Sequence, residues 1–407
     1  MSDERRRCLI VGCGVSGIAT AIRLRQIGWE PVLVERAPDR RSGGYFIALF
    51  GAGRAAARRL GFADAMPDRA VRDGRTYVVD RRGGRRPGLG AAEIPGAPHM
   101  MLRGDVERAA FEVLPRDVEV RFATQPVAIE QDESGVHVTL QHGGTTTTER
   151  FDLVVGADGL RSTVRRLVFG PHEEHLHRLG YMIAAYALPH PLDGVSPRDG
   201  ICLFEPGRAM WLFPFIDRPQ SLLFSYRTDD VDGQFTGRPV DRIRDAFGPE
   251  PLGPLLEQAL DVLGDADEFL FDSVEQTRMD SWSRGRVVLV GDSAWCVSLY
   301  SGMGASSALA GAELLGTMLR RYPADVPRAL RAWEARLRPH ITTYQEAGIS
   351  DRFFFTPDNH RQIAGRSMAA RGLRLPVIGG ALRSIQSRSR IVRERDLDIA
   401  REGAAAA

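Results

Sequence analysis

The chain contains no lysine: all 54 of its basic residues are arginine, in a sequence of 407. That excludes any step needing a lysine amine, whether a Schiff base, a lysine nucleophile or a lysine-held reactive halogen species. Cysteine is scarce as well. Cys8, Cys13, Cys202 and Cys296 show no metal-ligand spacing and no disulfide framework, so no metal is expected and a reduced, cytoplasmic protein is the reading. No uninterrupted apolar run reaches about 18 residues, so no membrane span is expected. A net charge of only +2 gives nucleic-acid binding no general electrostatic support. Arg5-Arg6-Arg7 precedes an apolar segment as in an export signal, but Asp3 and Glu4 dilute the basic start and glycines interrupt the apolar core.

What is present is a set of four short segments in a telling order. Cys8-Leu9-Ile10-Val11 reads as a buried parallel strand and leads into Gly12-Cys13-Gly14-Val15-Ser16-Gly17, after which Ile18, Ala19, Ile22 and Leu24 fall at helical spacing. Gly12 permits a tight turn, Gly14 lets backbone approach a pyrophosphate, and Gly17 lets helix and strand pack closely, while Val15 and Ser16 open the helix whose free N–H groups favour phosphate. A second strand ends at Glu35, 23 residues after Gly12. A carboxylate there accepts from ribose hydroxyls and repels a 2′-phosphate, which favours FAD or NAD over NADP at this position. Further along, Gly156-Ala157-Asp158-Gly159 and Val287–Val290 with Gly291-Asp292 repeat the pattern of a strand followed by glycine and acid. Asp292 suits a ribityl hydroxyl. Gly302 and Gly304 let the helix beginning near Met303, with Ala305 in its first turn, bring its positive end to a flat ring. Order and spacing together predict a flavoprotein.

The expected fold class is α/β: a Rossmann-like FAD-binding domain built on a parallel sheet, an inserted mixed β-sheet substrate domain, and a C-terminal helical segment. The FAD-binding domain is assigned to residues 1–72, 99–177 and 278–345, the substrate domain to 73–98 and 178–277, and the helical segment to 346–407. Thr145–Thr148 reads as a hairpin end.

These motifs resemble the single-component (class A) flavin-dependent aromatic monooxygenases, the para-hydroxybenzoate hydroxylase-like family, and within it the tetracycline-inactivating and antibiotic-tailoring members. The resemblance spans about residues 6–345 and rests on Gly12, Gly14 and Gly17 with Glu35-Arg36, on Arg103, on Asp158-Gly159 with Arg161-Ser162, and on Gly291-Asp292 with Ser301-Gly302-Met303-Gly304. It implies that Arg103 contacts FAD, that the Asp158 segment serves FAD and NADPH, and that Asp292 holds the ribityl chain. It also implies the chemistry: NADPH or NADH reduces the flavin, O2 reacts with it, and a C4a-hydroperoxide transfers one oxygen to an electron-rich carbon. Arg36 and Arg41 are candidates for the NAD(P)H phosphates, since no second glycine-rich dinucleotide motif exists. Two departures stand out. Ser293-Ala294-Trp295 and Leu299 occupy positions where the family often has Ala-Ala-His and a proline, and Ala48 stands where the tetracycline-inactivating enzymes carry a carboxylate.

For the substrate, Trp211, Phe213 and Phe215 alternate and so share one strand face, forming an aromatic wall for a planar, aromatic or polycyclic small molecule. Phe204, Phe224 and Tyr226 extend that wall, and the resemblance places Tyr45 and Ile47 there too. No residue stands out as catalytic base; Tyr226, Arg227 and Tyr186 are the candidates. A flavin-dependent halogenase is excluded by the missing lysine and by Ala209 in place of that family's tryptophan. An FAD-dependent reductase or dehydrogenase, and a flavin-binding accessory protein without turnover, remain open, as does the choice between monomer and dimer. Residues 361–401 carry ten arginines against three acids, which leaves the remainder of the chain at −5. That stretch is either a solvated helical tail or a basic surface for NADPH, an anionic substrate or a carrier protein.

Overall fold

The apolar run after Arg7 becomes the strand Arg7–Val11, and every residue from Cys8 to Val11 is buried. It lies inside a six-stranded sheet whose order is Ser283–Arg284, Val287–Leu289, Leu153–Gly156, Arg7–Val11, Glu30–Val34 and Glu119–Arg121. All neighbours are parallel except the first pair. The structure is a computed structural model that describes residues 6–40, 44–90, 94, 96–267, 269–374 and 389–401. Among the described residues no helix is long and apolar enough to cross a membrane.

Register decides where the site lies. Val11 is level with Val34 on one side and Gly156 on the other, and Gly156 is level with Leu289. The segments carrying the glycines and the strand-end acids therefore leave the sheet side by side at its carboxyl edge, where open α/β sheets bind ligands. Helix Gly304–Arg321 packs between helix Val15–Gln26 and helix Gly51–Leu60, and helix Val326–Ser350 packs on it in turn. The glycine at 53 allows a close approach of the two helix backbones, since a Cβ there would lie 2.8 Å from the Ser306 Cα.

A seven-stranded sheet forms the other half, in the order Leu270–Thr277, Leu176–Ala187, Ser221–Arg227, Arg208–Phe213, Gly200–Glu205, Thr76–Val79 and Arg85–Pro87. One face is covered by helices Pro239–Ala246 and Pro254–Gly264, the other faces the nucleotide-binding half. A three-stranded antiparallel sheet spans Thr124–Gln131, Val136–His142 and Thr145–Phe151. The expected hairpin end is the start of its last strand, directly after the turn at Gly143-Gly144. Helix His360–Arg374 packs on strands of the seven-stranded sheet, and the short helix Arg390–Asp396 packs on helices Gly51–Leu60 and Val326–Ser350.

Candidate active site

The first turn is shaped by backbone crowding. Gly12 has φ +104, its N–H donates to Val34 O at 2.8 Å, and a Cβ on it would lie 2.5 Å from Ala157 O. A Cβ on Gly17 would lie 1.8 Å from Gly12 O, so helix and strand touch as the sequence requires. Glu35 is anchored beside this turn, one carboxylate oxygen accepting from the Cys13 N–H and the other from the Ala37 N–H, both at 2.9 Å. These segments open onto a cavity of about 1280 Å³ that continues to the face of the seven-stranded sheet.

Gly12, Gly14, Val15, Ser16, Glu35, Arg36, Arg103, Asp158, Asp292, Gly302, Gly304 and Ala305 all line this cavity. Gly17 and Gly291 lie behind it, holding the turns closed. Arg41 lies outside the described residues. Arg103 pairs with Glu107 at 2.8 Å across one helical turn. Asp292 opens onto the cavity at the start of helix Asp292–Trp295; surrounding protein pushes its carboxyl above the usual range, and Arg103 opposes that shift. Asp158 is already engaged: one oxygen accepts from Ser162 Oγ at 2.6 Å, the other from the Thr163 and Val164 N–H groups at 2.6 and 3.2 Å. These bonds hold the segment that follows strand Leu153–Gly156. Arg165, fully buried, ties two segments together by donating to Leu160 O (2.6 Å) and Ser293 O (2.8 Å).

These residues fit FAD. Beyond its chain neighbours and its own helix turn, a Cβ on Gly304 would meet no protein atom within 4 Å, so the N-terminus of helix Gly304–Arg321 presents bare backbone to open space. Gly159, at φ +80, is equally bare. One end of the cavity thus offers an anchored carboxylate and a helix N-terminus for the nucleotide, and the other a helix N-terminus with no side chain in the way of a flat ring.

At the substrate end Trp211 and Phe213 stack with centroids 5.4 Å apart, and Phe46 stacks on Phe213 at 4.0 Å. Tyr45, Ile47, Trp211 and Phe213 line the cavity. The other four aromatic expectations need correction. Trp211 pairs with Leu223, so odd-numbered residues of that strand share its face, while Phe224 and Tyr226 point to the helical side. There Phe224 packs on Phe247 and Tyr226 donates to Gln234 Oε1, which removes Tyr226 as a candidate base. Phe215 follows the strand's end at Phe213 and is buried 6.1 Å from Phe46. Phe204 shares the Trp211 face and meets that ring edge-on, but does not line the cavity. The wall is completed by residues the sequence did not single out as substrate contacts: Phe46, Leu223, Ile183 and Ala185. Alternation from Trp211 through the strand pairing identifies Leu223 once the register is known. Phe353, Phe354 and Phe355 also line the cavity, and Phe355 O accepts from Trp211 Nε1 at 3.0 Å.

One of the departures, Trp295, finds a structural reason. Trp295 packs with Trp282 and Trp333 at 4.8 and 5.7 Å and donates to Ser307 Oγ, so it is core. Leu299 begins a single turn, Leu299–Ser301, on the cavity wall.

A protein-family model described as "FAD binding domain" matches residues 5–323. A "Flavin-dependent monooxygenase" of Legionella longbeachae serogroup 1 (strain NSW150) is 30% identical over 380 residues, covering 88% of this chain and 92% of its own. Among solved structures, tetracycline destructase Tet(51) aligns with a TM-score of 0.76 at 24% identity, covering 94% of this chain and 98% of that one. Klebsiella pneumoniae HpxO complexed with FAD and uric acid aligns at 0.66 and 20%, covering 97% and 96%. With the strand-edge glycines, the anchored Glu35 and the bare helix start at Gly304 already in place, the chain belongs to the FAD-binding-domain family of flavin-dependent monooxygenases.

Proposed function

We propose that the enzyme uses NADPH or NADH and O2 to insert one oxygen atom into an aromatic or polycyclic small molecule, in natural-product tailoring or antibiotic modification. The observation that carries this reading is the single continuous cavity, which runs from Gly14 and Glu35 to Trp211 and Phe213. At about 1280 Å³ it exceeds the ~300–1,000 Å³ of one small-ligand site. Bound FAD supplies the redox and oxygen chemistry. The protein's part is positional and electrostatic. The first N–H groups of helix Gly304–Arg321 favour negative charge on the ring edge placed before them. Phe46, Phe213 and Trp211 hold a planar substrate and exclude water. Arg36, exposed at the cavity, and Arg41 are the proposed contacts for NAD(P)H phosphates. The domain division given above and a cytoplasmic monomer or dimer belong to the same proposal.

The test is a turnover with ¹⁸O2 and a panel of polycyclic aromatic compounds, reading NAD(P)H consumption and product mass. One labelled oxygen per product molecule is expected. NAD(P)H oxidation with a transformed but unlabelled product would replace this reading with a reductase or dehydrogenase.

A further inference from the structure

Among the described residues, the arginine-rich C-terminal stretch contributes one guanidinium, that of Arg395, to the cavity wall. Helix Arg390–Asp396 is fastened to the nucleotide-binding half by acids within it and just after it. Asp396 accepts from the Gly51 N–H at 3.1 Å, Asp398 pairs with Arg59 at 2.6 Å, and Glu394 pairs with His340 at 2.7 Å. So pinned, the segment turns Ile391, Val392 and Arg395 toward the cavity.

Arg395 is an under-compensated cation. Its side chain is 13% exposed and its guanidinium carbon sits 5.1 Å over the Phe50 ring. Among the described residues its hydrogen bonds run through Nη2, to Ser301 O at 3.2 Å and to Asp351 at a long 3.5 Å; the buried Nε has no partner. Arg59, by contrast, is held by two carboxylates at 2.6 and 2.7 Å, and its pKa is raised. Burial pulls the Arg395 pKa below the ordinary guanidinium value, with Asp351 offsetting only part of that. A sequestered cation with a weak counter-ion is costly unless an anion completes it. Arg395 and Asp351 both line the cavity, and Ser301 immediately precedes the glycines at the proposed ring site.

We propose that Arg395 selects substrate charge, pairing with a carboxylate or an ionised phenol or enol oxygen of an aromatic substrate. This rests on the monooxygenase reading above. A planar, permanently charged fork suits such an oxygen, and the long contact to Asp351 yields readily to a closer anion. The solvated-tail reading of this part of the stretch is thereby replaced by a site for an anionic substrate.

The experiment uses the FAD-loaded protein and two matched probes, 1-hydroxy-2-naphthoate and its neutral methyl ester, with Kd read from perturbation of the flavin absorbance. The wild type is expected to favour the acid by roughly tenfold or more, the scale of one charge-assisted hydrogen bond. Arg395→Gln is expected to erase that preference while changing the ester's Kd less than about twofold and leaving FAD affinity intact. Arg395→Lys, which keeps charge but not the fork, is expected to restore part of it. An equal acid-to-ester ratio in wild type and Arg395→Gln overturns the inference, as does failure of the wild type to favour the acid. Loss of FAD in place of the acid probe would assign Arg395 to the cofactor. A flat ratio in an enzyme that incorporates labelled oxygen sinks only this inference; a shifted ratio without incorporation sinks only the oxygenation.

Discussion

Replacing Gly304 by alanine tests the ring site directly, because the new methyl touches nothing in the protein. Beyond its chain neighbours and the backbone of its own helix turn, no protein atom lies within 4 Å of that Cβ, and the residue sits at the start of a helix with no left-handed φ. Alanine at such a position is neutral or stabilising, by ~0.4–1 kcal/mol through the unfolded chain. The FAD-free protein should therefore melt at the same temperature or higher. If the flat ring lies against this helix start, the methyl occupies its space. Overpacking of that kind costs about 1–3 kcal/mol, or roughly 5- to 150-fold in FAD Kd. Gly17→Ala is the control that separates fold from site: its Cβ would lie 1.8 Å from Gly12 O, so helix and strand must move apart and stability falls with or without cofactor. FAD titration by fluorescence, with melting of both forms, provides the readout. An unchanged FAD Kd in Gly304→Ala would refute the placement of the ring at this helix.

Trp295→Ala removes one member of a three-tryptophan cluster and the donor to Ser307, and should destabilise the fold by about 3–5 kcal/mol in urea unfolding. A loss under about 1 kcal/mol would contradict its core role. Asp105 and Arg69 form a two-pronged buried pair at 2.8 and 2.9 Å, with side chains 3% and 6% exposed. Burial, the largest influence, raises the Asp105 pKa, but the Arg69 and Leu102 hydrogen bonds and nearby arginines outweigh it and hold the carboxyl below its usual value. The stabilisation is then complete above pH ~4 and fades as pH falls from there through the depressed pKa. Asp105→Asn should cost about 3–5 kcal/mol at pH 7 and remove that part of the acid sensitivity; equal acid sensitivity in both proteins would contradict it. Phe213→Leu should weaken polycyclic substrate binding by ~0.5–1.5 kcal/mol through lost stacking, with FAD affinity unchanged. A parallel fall in FAD affinity would show that this wall serves the cofactor.

What the amino-acid sequence determined unaided was the nucleotide half. Each of its segments carries a local signature, an apolar strand followed at once by glycine, by an acid or by both, and parallel pairing only has to bring those signatures level. Glycine and strand-end acids are informative because the constraint they satisfy lies within a few residues of chain. The substrate half was legible in composition but not in orientation. Leu222-Leu223-Phe224-Ser225-Tyr226 is buried on both faces, so alternation cannot say which side meets the cavity. Pairing with Trp211 put Leu223 there and sent Phe224 and Tyr226 to the helices. Arg395 is the extreme case. Nothing near it in sequence distinguishes it from neighbouring arginines. Only closure of the chain against residues more than 300 positions earlier, through Gly51 and Arg59, turns it from a surface charge into part of the cavity wall. Local sterics can be read along the chain; burial of a charge depends on what the rest of the molecule packs around it.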